Sequence, residues 1–170
     1  LEINNCTFRN NSAPYNGGAL YISMMYTVTI YGSEFYDNNC GRYGGALYIG
    51  YEDLLLSSGF SLLDEKPYFN IESCTFERNW AGKYGNAMFI NDTDFTHNRG
   101  YTIENNKFVD NYYDENIIGY VIASKKRYLN IDSNLFYNND ETIQINPIVY
   151  LDEFDTIIYE NLIFKNLQDA

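Results

Sequence analysis

Four carboxylates, Glu72, Glu104, Asp132 and Glu160, occupy one point of a recurring pattern, each directly following Ile71, Ile103, Ile131 or Tyr159. If the recurrence is structural they form a file. Like charges held close together repel unless solvent, raised pKa values, a bound cation or a basic partner relieves them. The file is therefore a candidate stripe for Ca²⁺ or a basic ligand, against the simpler reading of a solvated acidic face that discourages aggregation. No other cofactor is implied.

Catalytic groupings are weaker. His97, the sole histidine, stands near Asp94 without the activated Ser or Cys that a nucleophilic triad needs. Acidic clusters at Asp92/Asp94 and Asp152/Glu153/Asp155 offer the residue types of a glycosidase, which requires two carboxyl groups about 5–9.5 Å apart in a groove. A lyase would want a Lys or Arg base beside its calcium carboxylates, and the acidic file has no basic residue in its own column. Lys125-Lys126-Arg127 is the only basic run and reads as a solvated turn rather than an anion contact.

Asn-x-Ser/Thr sequons at Asn5, Asn10 and Asn91 are candidate glycosylation sites. Asn10 and Asn91 are expected outward or in a turn, and Asn5 at a tighter corner. Cys6, Cys40 and Cys74 cannot all pair and match no zinc or redox spacing. Cys6 and Cys74 are expected buried as small apolar groups, and Cys40, in a turn, more exposed.

What must position these residues is a repeat. Phe8, Phe35, Phe76, Phe108, Phe136 and Phe164 each follow Ile3, Ile30, Ile71, Ile103, Ile131 or Tyr159 by five residues, and Asn11, Asn38, Asn79, Asn111 and Asn139 follow the first five Phe by three. Eleven residues after the Phe comes Ala19, Ala46, Ala87, Gly119 or Pro147, opening an apolar stretch. Short alternating runs that meet at corners read as strands. Runs of Thr, Tyr, Ile, Val, Asn and Gly exclude helical solenoids.

The expected fold is all-β: a right-handed parallel β-helix of about six coils, roughly 28 residues and three strands each. One unit over 1–170 is expected, with coils at 1–27, 28–68, 69–100, 101–128, 129–156 and a partial 157–170, and an inserted loop near 51–67. Columns then become ladders, a Phe stack and an Asn ladder whose amides satisfy one another. In the column Asn10, Asp37, Arg78, Asp110 and Asn138, Arg78 falls between two aspartates.

With 23 acidic and 11 basic residues and a net charge of −12, the chain is a poor partner for nucleic acid. An aromatic content of 18% excludes a disordered tail. No apolar run reaches the roughly 20 residues of a membrane span.

The paired motifs Phe-x-x-Asn (Phe8 to Asn11, Phe35 to Asn38, Phe76 to Asn79, Phe108 to Asn111, Phe136 to Asn139) and Gly-Gly-Ala-Leu (residues 17–20 and 44–47) resemble the repeats of polymorphic outer membrane proteins and of similar surface proteins of unicellular eukaryotes. The resemblance implies a surface-exposed β-helix of the kind implicated in adhesion. The expected function is a non-enzymatic structural or adhesive module at the cell surface or outside the cell, able to form fibres. A polysaccharide-acting enzyme, pectate-lyase-like or hydrolytic, is the second reading, and an intracellular scaffold the third. The chain starts and stops inside copies without polar caps, so flanking coils or stacked subunits are the expected axial partners. A carbohydrate or protein ligand is expected on the lateral faces.

Overall fold

A computed structural model describes residues 1–23, 25, 27–51, 68–92, 100–111, 121–124, 128–137, 139, 149–151, 156–160 and 163–165; at 51, 92, 100, 124, 128, 129 and from 149 onward this extends to the backbone alone. The chain is all-β there, with parallel strands in stacked sheets and no helix among the described residues. The first copy of the repeat gives β1 (Glu2–Asn4), β2 (Thr7–Arg9), β3 (Ser12–Ala13) and β4 (Leu20–Ser23). The second gives β5 (Thr27–Tyr31), β6 (Glu34–Tyr36), β7 (Asn39–Cys40) and β8 (Leu47–Tyr51). The third gives β9 (Tyr68–Glu72), β10 (Thr75–Glu77), β11 (Trp80–Ala81) and β12 (Met88–Asp92). The fourth and fifth give β13 (Gly100–Glu104), β14 (Lys107–Val109), β15 (Ile122–Ser124), β16 (Tyr128–Asp132), β17 (Leu135–Tyr137) and β18 (Val149–Leu151), and the last β19 (Thr156–Glu160) and β20 (Ile163–Lys165).

Each strand pairs with its equivalent in the next copy. The sheets run β1-β5-β9-β13-β16-β19, β2-β6-β10-β14-β17-β20, β3-β7-β11 and β4-β8-β12-β15-β18. Where three strands per copy are expected, the first three copies make four. The additional one is a two-residue strand after each Asn, too short for its alternation to show in the sequence.

Register follows the columns: Ile3, Ile30, Ile71, Ile103 and Ile131 align, as do Phe8, Phe35, Phe76, Phe108, Phe136 and Phe164. Neighbouring strands lie about 4.8 Å apart, which forces like rings face to face. Phe8, Phe35, Phe76, Phe108 and Phe136 stack in sequence with centroids 4.9, 4.8, 5.1 and 4.9 Å apart. Phe35, Phe76 and Phe108 are fully buried, each contributing roughly 1.5–3 kcal/mol relative to exposure.

Corners are turned by residues with left-handed backbones. After the first sheet these are Asn5, Gly32, Ser73, Asn105 and Ser133, and after the second Asn10, Asp37, Arg78 and Asp110, all with φ between 51° and 58°. Small polar side chains tolerate this region best. Arg78 does so at some cost, and its ion pair, described below, is what the position gains.

Two cysteine expectations are reversed. Cys6 is exposed, as is Leu1 at 46%, in the outermost of the described layers. Cys40 is buried: it lies in β7 between Ala13 and Ala81, whose small side chains define an inward column. Cys74 is buried, and burial pushes the Cys40 and Cys74 thiols up to about 11.

Candidate functional site

The Asn column lines the corner after the second sheet. The backbone N–H of Asn11 donates to Asn38 Oδ1 (3.1 Å), Asn38 to Asn79 (3.1 Å), Asn79 to Asn111 (3.0 Å) and Asn111 to Asn139 (3.1 Å). Each Nδ2 donates to the same oxygen, and those of Asn38, Asn79, Asn111 and Asn139 also donate back to the Phe carbonyl of the preceding copy. The Asn-to-Asn bonds all donate toward the later copy, and the Nδ2 bonds to the Phe carbonyls run the other way. A side-chain carbonyl thus replaces the strand partner that the bent backbone loses, which satisfies buried polar groups at the corner.

A second ladder, which the sequence reading missed, lines the preceding corner. Cys6 N donates to Ser33 Oγ (3.1 Å), Cys74 N to Asn106 Oδ1 (2.9 Å) and Asn106 N to Asn134 Oδ1 (2.9 Å). Asn106 and Asn134 Nδ2 donate to Ile71 and Ile103 carbonyls at 2.9 and 2.7 Å. Its signal is a polar or thiol residue two positions before each of the first five Phe, obscured because the type varies among Cys, Ser and Asn.

Outside the corner, Arg78 binds Asp37 with both Nε (2.7 Å) and Nη2 (3.1 Å), and also pairs with Glu77. Arg9 Nε approaches the same carboxylate at 3.9 Å. The Arg78 hydrogen bonds hold the Asp37 carboxyl below its ordinary range. Of the two flanking aspartates, Asp37 takes the guanidinium.

The acidic file is aligned by register, Asn4, Tyr31, Glu72, Glu104, Asp132 and Glu160 being successive partners. Glu72 accepts from Asn70 Nδ2 (3.4 Å) and Asp132 from Ser133 Oγ (3.2 Å), so each turns toward its own layer. Among the described residues no group of three or more His, Cys, Asp or Glu converges to hold a metal ion. The Glu160 side chain, and with it the end of the file, lies outside the described residues.

On the sheet after the Gly-Gly turn, Tyr21 stacks on Tyr48 at 4.8 Å and Tyr48 on Phe89 at 5.8 Å. Tyr48, Phe89 and Ala123 form a cluster of their own beside the main core, with Tyr43 packed against it. Asn91 is half-buried in β12 instead of lying in a turn, and its Nδ2 donates to Tyr48 Oη at 2.8 Å. A glycan there would have to break that bond. Asn5 and Asn10 are exposed at the corners. The inserted segment 52–67, the Asp94/His97 pair, the Lys125-Lys126-Arg127 run, Asn138 and the Asp152/Glu153/Asp155 cluster lie outside the described residues, as does the side chain of Asp92.

Residues 5–23 match the Chlamydia polymorphic membrane protein repeat. This stretch holds the first Phe-x-x-Asn, the first Gly-Gly-Ala-Leu and the corner Asn5, so the chain carries a repeat of that kind. Proteins of that family are outer-membrane and surface proteins. No curated protein and no solved structure matches the chain.

Proposed function

We propose that this chain is a segment of a right-handed parallel β-helix of about six coils, serving as a non-enzymatic structural or adhesive module at the cell surface. The carrying observation is the pair of unbroken columns, the Phe stack and the Asn ladder, built from residues 27 to 41 apart and repeated from the first copy to the fifth. Such columns stiffen a rod and leave its lateral strand faces free to vary, which suits display better than turnover. The surface-protein repeat at residues 5–23 supports the location.

Antibody labelling of intact source cells, with and without permeabilisation, tests this reading. Labelling of intact cells and its loss after external protease are expected. Signal that emerges only on permeabilisation would overturn the surface assignment.

A further inference from the structure

We propose that the corner between the β3-β7-β11 sheet and the β4-β8-β12 sheet binds an anionic polysaccharide, through Arg42 and Lys83 in adjacent layers and the tyrosine rings beside them. The inference deepens the adhesive reading and rests on it for its biological setting. Arg42 N donates to the Tyr15 carbonyl and Lys83 N to the Arg42 carbonyl, both at 2.8 Å, so Tyr15, Arg42 and Lys83 form one column. Layer spacing brings the two cationic side chains to within about 5 Å along the stack at their roots.

Both cations are exposed, and among the described residues neither makes an ion pair; those found there go to Arg9 and Arg78. In a chain with 23 acidic residues to 11 basic ones, two adjacent cations that pair with no carboxylate among the described residues offer an anion a foothold. What holds them is aromatic. The Arg42 guanidinium lies 5.1 Å from the Tyr15 ring centroid and Lys83 Nζ 5.7 Å from that of Tyr43, which stacks on Tyr84 at 6.1 Å. Tyr15 and Tyr84 are 62% and 38% exposed. The neighbouring column is Pro14, Gly41 and Gly82, linked by Gly41 N to the Ala13 carbonyl and Gly82 N to the Cys40 carbonyl. Two of its three layers therefore set bare main chain beside the cations.

A ligand for this corner needs negative groups repeated at intervals, to meet both cations, and flat ring faces with apolar edges, to lie against tyrosine. A carboxylated or sulfated polysaccharide has both. Duplex nucleic acid would bring many phosphates against an acidic surface with two cations to answer them. An acidic peptide would meet the charges and make little use of the rings.

The test is calorimetric titration of the whole chain with a size-defined heparin oligosaccharide. Saturable binding that weakens as salt rises is expected, with none to a neutral dextran oligosaccharide of equal length. The double substitution R42Q/K83Q should weaken binding about tenfold. K107Q, which removes an exposed cation from another sheet, should leave it unchanged. The single K83Q, checked for folding by circular dichroism, should give a smaller loss and keeps the test open if the double variant misfolds. Undiminished affinity in the substituted chains, absent binding, or equally tight binding of a poly-glutamate peptide would overturn the inference. Heparin binding by a chain that is inaccessible on intact cells refutes the surface reading alone; surface exposure without heparin binding refutes this inference alone.

Discussion

Replacing Asn79 with Leu leaves the Asn38 N–H and Nδ2, the Phe35 carbonyl and Asn111 Oδ1 each short of a partner in a buried setting. A loss of roughly 1–3 kcal/mol is expected in urea unfolding. Asn11 is exposed, so Asn11→Ala should cost under about 1 kcal/mol. Equal losses at the two positions would contradict the role given to the ladder. Asp37 supplies a pH test. Its carboxyl is depressed by Arg78 from an ordinary value of 3.8, so its contribution is present above that value and disappears as pH falls through the lowered midpoint. In R78Q an NMR titration should show the Asp37 midpoint rising toward the ordinary value and the acid-side stability loss becoming smaller. Phe and Asn columns are readable in a single sequence because identical letters mark them. The ladder of Ser33, Cys74, Asn106 and Asn134 is not, since different side chains share only the place in the corner and, for Ser and Asn, an oxygen that accepts the N–H of the layer before. That Arg78 forms its paired hydrogen bonds with Asp37 is a matter of side-chain geometry, which spacing does not encode.

Corners and turns decide whether the strands can stack. Gly44 has φ +71°, and a Cβ on Gly45 would stand 2.1 Å from the Asn86 carbonyl oxygen and 2.4 Å from that of Trp80, both in the next copy. G45A should therefore destabilise the fold by more than about 2 kcal/mol, read as a lower denaturation midpoint. At Gly50 the nearest obstacle is the Tyr48 ring at 2.7 Å, a side chain able to shift, and G50A is expected to be milder. The Gly-Gly pair shows in the sequence, and its physical reason is this backbone approach between layers. The two-residue strands β3, β7 and β11 do not show, because a pair of residues has no period. Cys40 illustrates the consequence: read as a turn residue, it belongs to one of those strands and faces inward.

For the whole molecule, the three cysteines report how the layers open. Cys6 is exposed while Cys40 and Cys74 are buried, with thiols pushed up to about 11 by desolvation. A thiol reagent at neutral pH should modify one cysteine quickly and the other two only on the timescale of opening. Mass mapping that finds Cys40 or Cys74 modified as fast as Cys6 would contradict the layered burial. The parallel order of the sheets was foreshadowed by the constant offsets between Ile, Phe and Asn, whereas the exposure of each layer depends on what stands above and below it, which no column records. The one-way sense of the Asn-to-Asn bonds reaches further still. Asn-to-Asn bonds that all donate toward the later copy give the stack a head and a tail, so any joint that continues the ladder must be vectorial; a head-to-head meeting would set oxygen against oxygen.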